Sequence, residues 1–203
     1  ESRSSFHYRR HDMSFRWDGH GGRAWYDGDV SGFLASLELA LYAVICEMDG
    51  VLLHASAGVI GGEAWLMPGP SGTGKSTAAR GGFERVLSDE RVIILREQGV
   101  FSVWGTPFWS DGRKMPLDCG SAPLAGVAKL IQSKAPTMTD LNRAEMLEWV
   151  LASVVAYGEL GASAISHFEF ASDLVESVSC IGLEFPKEGV WAPLMLSPIG
   201  QAS

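Results

Sequence analysis

The sequence has few positive charges, no pairable set of cysteines and no long apolar run. Its 203 residues carry 16 Lys and Arg against 24 Asp and Glu, a formal net charge of −8 at pH 7. A surface of that sign argues against a nucleic-acid coat. The three cysteines, Cys46, Cys119 and Cys180, are far apart and odd in number. That pattern fits neither a disulfide framework nor a zinc knuckle, and it implies reduced thiols in a reducing compartment. The longest apolar stretch, Phe33 to Cys46, is interrupted by Ser36 and Glu38 and is too short to cross a bilayer. A soluble, cytoplasmic protein with no membrane partner is expected. Glu1 to Arg10 shows no apolar signal core and no transit-peptide pattern, and is left out of the fold assignment. There is no internal repeat and no low-complexity segment. What is abundant is apolar residues, 46% of the chain, and glycine, 24 residues. That composition folds around a core.

Residues 1–32 are expected to form an N-terminal extension with edge strands, and residues 33–198 a single α/β domain: a mixed sheet with hairpins, covered by helices. Phe33, Leu34, Leu37, Leu41 and Val44 recur at helical spacing. Val51 to Ile60 and Glu63 to Met67 flank Gly61-Gly62, which suits a tight hairpin turn. Val92 to Leu95 and Val100 to Trp104 flank a second turn at Glu97-Gln98-Gly99. Further on, Leu147, Val150, Leu151 and Val154 predict a helix capped by Thr139 and stopped at Gly158. Ala164, Phe168, Ala171, Val175 and Val178 mark another helical face, and Ile181, Leu183 and Phe185 alternate as in a strand. The second half therefore reads as helices laid over a sheet made by the first.

Gly69-Pro70-Ser71-Gly72-Thr73-Gly74-Lys75-Ser76 matches G-x-x-x-x-G-K-[ST] in full, directly after the apolar Ala64-Trp65-Leu66-Met67. Glycines let backbone N–H groups curl around phosphate oxygens, and a following helix adds the positive end of its dipole. Lys75 would neutralise the β and γ phosphates of ATP, Ser76 would give its hydroxyl to Mg²⁺, and Thr77 continues the binding segment. Gly81-Gly82 follows so soon that the helix must be short.

A phosphate loop does not specify a reaction; the carboxylates near it do. The candidates are Asp89-Glu90, with Asp89 only 14 residues after Lys75 (89 − 75 = 14). That spacing disfavours motor and transporter ATPases, and no Asn-Lys-x-Asp guanine signature is present. One carboxylate would contact Mg²⁺ and the other would accept the proton of a substrate hydroxyl; the alternative is a solvated turn between strands. If Ile60 pairs with Glu63, His54 faces Gly69 at the edge of the site. There it would orient a carboxylate or the γ-phosphate, or else serve as a structural histidine. Gly105 to Trp109 begins a loop whose Asp111-Gly112-Arg113-Lys114 would form either a lid over the ligand or an ordinary turn. The seven tryptophans are read as packing and a protein-binding face.

Leu53-His54-Ala55-Ser56, the hairpin, Pro68 to Thr77, Leu87-Ser88-Asp89-Glu90 and Gly105-Thr106-Pro107-Phe108-Trp109 together resemble the catalytic domain of the HPr kinase/phosphorylase family, over about Leu34 to Leu194. The resemblance implies a P-loop core related to phosphoenolpyruvate carboxykinase. It also implies transfer of the γ-phosphoryl group of ATP, with Mg²⁺, to a serine of a peptide or protein, and ring-shaped homo-oligomers. Lys75 and Ser76 would take the phosphate and metal roles, Asp89 and Glu90 would match an acidic pair that includes the base, and His54 would match an active-site histidine. Glu90 stands where that family has a second aspartate. A nucleotide-holding regulatory module and a small-molecule kinase are the alternatives.

Overall fold

In a computed structural model the described residues are 5–108, 118–157 and 164–196. Alternating apolar and polar residues build the first unit, an antiparallel sheet of β1 (Phe6–Arg10), β2 (Met13–Trp17) and β3 (Gly22–Tyr26). Phe6, Tyr8, Met13, Phe15 and Trp17 face one side and pack with Leu39 and Ala43 of helix α1 (Val30–Cys46). Residues 6–10, left out of the sequence assignment, are therefore a strand of this sheet. Asp29 caps α1 by accepting from the Gly32 N–H at 2.7 Å, so the helix begins ahead of the Phe33 expected from the apolar spacing.

The main sheet is arranged around β4 (Gly50–Ile60), which turns through Gly61-Gly62 into β5 (Glu63–Pro68). Both turn glycines have positive φ, 62° and 82°, as a two-residue hairpin of this hand requires. Ile60 pairs with Glu63 and Ala55 with Pro68, the predicted register. After the short helix α2 (Lys75–Ala78), β6 (Arg85–Ser88) and β7 (Arg91–Glu97) run in succession along the other edge of β4. β8 (Val100–Trp104) pairs with β7 across Gln98-Gly99.

The second half holds more strand than its sequence suggested. β9 (Ser121–Gln132) runs parallel to β5 on one side and to β11 (Ser179–Phe185) on the other, while its start pairs with β8. The ring β9-β5-β4-β7-β8 thus closes around a core that includes Leu53, Ala57, Leu66, Ile94, Val103 and Val127. β10 (Thr137–Asp140) pairs antiparallel with β11. Thr139 belongs to that strand and does not cap a helix. Helix α3 (Arg143–Leu151) is capped by Asn142, whose side chain accepts from the Ala144 N–H at 2.8 Å, and Val154 lies beyond it, bridged to Leu53. Helix α4 (Ala164–Ser177) buries Phe170, Ala171, Leu174 and Val175; Phe168, expected on that face, is exposed. A 3₁₀ turn at Ala192–Leu196 completes a second core on the opposite side of the sheet with Trp65, Met67, Ala78, Phe185 and Trp191. Gly158 and residues 109–117, including Arg113 and Lys114, lie outside the described residues. The result is a mixed α/β fold with a mixed sheet. Among the described residues no helix is long and apolar enough to cross a membrane.

The position of β9 is directly testable at Gly126, where an added Cβ would lie 2.5 Å from the Trp65 ring and 2.8 Å from the Ser179 carbonyl oxygen. Gly126→Ala should cost about 1–3 kcal/mol, read as a lower midpoint in urea; an unchanged midpoint would contradict this placement.

Candidate functional site

β5 delivers the chain into Gly69 to Lys75, and three glycines set its path, with φ of 152° at Gly69, 88° at Gly72 and 97° at Gly74. The last two lie in the left-handed region that side chains rarely adopt, so the loop can turn its N–H groups inward. Thr73 donates from its hydroxyl to the Pro70 carbonyl at 2.9 Å, which closes the loop on itself. Lys75, the first residue of α2, is buried; its Nζ donates to the carbonyls of Gly69 at 2.8 Å and Pro70 at 2.9 Å. Burial lowers the pKa of its ammonium, while the Glu90 and Asp89 carboxylates act in the opposite direction. The cation and both acids of the candidate pair thus share one field.

The acids come to the loop because of β4. His54 pairs with Arg91 on one side, and on the other its carbonyl accepts from the Gly69 N–H at 3.3 Å. Asp89 and Glu90 form a bend where β6 gives way to β7. The buried Ser88 hydroxyl fixes that bend by accepting from the N–H groups of Glu90 at 3.2 Å and Arg91 at 3.1 Å. Asp89 is only 2% exposed, while the Glu90 side chain remains partly exposed. His54 Nε2 lies 3.2 Å from Glu90 Oε1, and Arg91 Nη1 lies 2.9 Å from the same oxygen. The His54 hydrogen bond, then the neighbouring charges of His54, Arg91 and Lys75, hold the Glu90 carboxyl below its ordinary range against the opposing effect of burial.

Several residues of this site carry no signal that short motifs report. Arg91 donates from Nε to Glu38 of α1 at 2.9 Å, and the Tyr157 hydroxyl donates to the same Glu38 oxygen at 2.6 Å. A chain of polar contacts therefore runs from His54 through Glu90, Arg91 and Glu38 to Tyr157. Trp149 of α3 donates from Nε1 to the Pro68 carbonyl at 2.7 Å, fixing the strand end from which the loop departs. Thr106, also buried, donates to the Arg91 carbonyl at 2.5 Å and so anchors the start of the loop expected as a lid. Beside α2, a cavity of about 250 Å³ is lined by Gly74, Thr77, Gln132, Ser133, Phe185 and Lys187.

The residues present suit a nucleotide with Mg²⁺: a glycine cradle for phosphate, a lysine at its mouth, and the Ser76 hydroxyl one residue on. Among the described residues no group of three or more His, Cys, Asp or Glu could hold a metal ion without such a ligand. A divalent ion here would depend on Ser76, Asp89 and phosphate oxygens together.

Fold and loop define a mixed α/β protein that carries a phosphate-loop sequence where a sheet strand meets a short helix. Residues 33–162, well over half of the chain, match the family model described as SynChlorMet cassette protein ScmC, and the chain belongs to that family. This corrects the assignment to the HPr kinase/phosphorylase family, because the matching family is a different one. The motifs that suggested it are short, and their residue types follow from phosphate and carboxylate chemistry. No curated protein matches the chain.

A carboxyl whose folded-state pKa is lowered adds its full stability above the unfolded value, about 4.3 for Glu, and loses it as pH falls through the folded value. Glu90→Gln should therefore be less stable than the native chain near neutral pH, and urea unfolding should show that gap closing as pH drops below the ordinary carboxylate range. A gap independent of pH would contradict the His54–Glu90 contact.

Proposed function

We propose that the protein has a phosphate-loop kinase fold and transfers the γ-phosphoryl group of ATP, with Mg²⁺, to a hydroxyl, best a serine of a peptide or protein. The observation that carries this reading is the convergence of Lys75, Asp89, Glu90 and His54 on one loop, held there by β4. Convergence of phosphate-binding and proton-accepting groups is what phosphoryl transfer requires and what nucleotide storage does not.

In this mechanism Lys75 exchanges the Gly69 and Pro70 carbonyls for β- and γ-phosphate oxygens, and the loop N–H groups hold the phosphate chain in line. The nucleoside would take the cavity beside α2, which Thr77, Gln132, Phe185 and Lys187 help to line. Mg²⁺ would be held by Ser76 and the phosphate oxygens, with Asp89 reaching it through water, and would supply charge neutralisation at those oxygens. The bond from phosphorus to the ADP oxygen breaks as the bond to the acceptor oxygen forms, and the acceptor's proton passes to a carboxylate. Asp89 is better suited to receive it. Glu90, bound to His54 and Arg91 with a depressed pKa, is a poor base and a good anchor. His54 acts through Glu90 as a positioning residue.

Incubation with γ-labelled ATP, Mg²⁺ and serine-containing peptides tests the assignment. Lys75→Ala should abolish nucleotide binding. Asp89→Asn should leave nucleotide affinity nearly intact and lower kcat by about 10²–10⁴. Full transfer by Asp89→Asn would overturn the role given to Asp89. Tight nucleotide binding without transfer to any peptide, protein or small-molecule hydroxyl would make the protein a nucleotide-holding regulatory module instead.

A further inference from the structure

We infer that the outer face of the three-stranded sheet docks an acidic, extended polypeptide segment, which adds as a further strand along the free edge of β3. The register of the sheet places its cations in rows. His7 pairs with Arg16 and Arg16 with Arg23, while Arg9 pairs with Ser14 and Ser14 with Trp25. Because side chains alternate along a strand, these residues share the face opposite α1, where Arg9, Arg16, Arg23 and Trp25 are exposed.

Charge is distributed to match. Residues 1–26 hold five arginines and three acids, +2, which leaves −10 for the rest of a chain whose total is −8. Among the described residues no carboxylate forms an ion pair with Arg9, Arg16 or Arg23. Nearby acids are otherwise engaged: Asp12 binds Arg10 at 2.5 Å, and Asp18 accepts from the backbone N–H groups of His20 at 3.0 Å and Gly21 at 2.9 Å.

Shape adds two further observations. All five residues of β3 are exposed and the strand is paired on one side only, which leaves a row of backbone donors and acceptors of the kind an extended peptide completes. On the same sheet a cleft of about 480 Å³ is lined by Phe6, His7, Arg16, Trp17, Asp18 and Trp25. Trp17 keeps a buried Nε1 with no hydrogen-bond partner. A cleft that sets aromatic rings beside His7 and Arg16 suits a segment that alternates carboxylates with apolar side chains. Added as a strand, such a segment places its carboxylates on the face of Arg16 and Arg23 and its apolar groups on the α1 side, where Phe15 and Trp17 lie against Gly22. Nucleic acid fits less well, since its phosphates would extend from this small basic face across a strongly acidic remainder.

The test uses the full chain and fluorescence anisotropy with a labelled synthetic peptide that alternates glutamate and valine. Controls are its lysine–valine counterpart, a version N-methylated at alternate residues, and oligo-deoxythymidine. The glutamate peptide should bind, and more weakly as salt rises. The exposed pair Arg16→Glu with Arg23→Glu should weaken it by about tenfold or more without changing Tm, and N-methylation should weaken it similarly. Failure of the glutamate peptide to bind, equal binding by the double variant, or equal binding of the lysine peptide would overturn the inference. Indifference to N-methylation would overturn strand addition, and tighter binding of oligo-deoxythymidine would assign the face to nucleic acid.

Discussion

Strand β4 is the constraint on which the site depends, because both of its edges are used near His54. On one edge the hairpin through Gly61-Gly62 sets the register with β5 and so fixes where Pro68 ends and the phosphate loop begins. On the other edge β6 and β7 follow one another, and the bend between them, Asp89-Glu90, falls beside the same segment. Below His54 the vacated β5 edge is taken by residues after α3: the His54 N–H donates to the Ser153 carbonyl at 2.7 Å, and the Val155 N–H donates to the Leu52 carbonyl at 2.9 Å. A one-residue slip in either ladder would turn His54 to the other face and separate it from Glu90.

The electrostatics follow from this placement. A buried ammonium is costly alone, and the loop carbonyls and the two nearby carboxylates offset that cost. Glu90 is in turn held by His54 and Arg91, and Arg91 by Glu38, so the charge at the loop is balanced by a network that reaches α1. Helix α1 therefore does more than cover the sheet, and through Leu39 and Ala43 it also carries the N-terminal sheet. The Tyr157 ring, which meets Tyr8 edge-on at 5.7 Å, joins that sheet to the same network.

The local parts of this arrangement were legible in the sequence. The glycine pair, the phosphate loop and the short helix that follows it are encoded within a few residues of one another, and the hairpin arithmetic put His54 opposite Gly69. The rest depends on distant partners. Arg91 meets Glu38 across 53 positions, and Tyr157 meets Glu38 across 119, with no motif to announce either contact. β9 carries little signal because its more exposed positions Pro123, Ala125 and Ile131 are as apolar as its buried ones, so the alternation of burial along Ser121–Gln132 has no counterpart in residue type. The cap of α3 was misplaced because Thr139 matches the capping composition as well as Asn142 does, and only pairing with β11 shows that Thr139 belongs to a strand. Family membership is hard to read from such motifs for a related reason. A short pattern of glycines, a lysine and nearby carboxylates recurs in unrelated families, so it is a weak guide to ancestry.

The central claim is that the loop between β5 and α2 cradles phosphate while the bend after β6 faces it. Amide resonances of the isotopically labelled protein, followed as Mg²⁺ and ATP are added, test this directly. The account predicts saturable shifts of the Gly72, Gly74, Lys75 and Ser76 N–H signals, accompanied by Glu90 and Arg91, with β3 unaffected. Saturating nucleotide that left the loop amides unmoved, or shifted only residues far from it, would contradict the account.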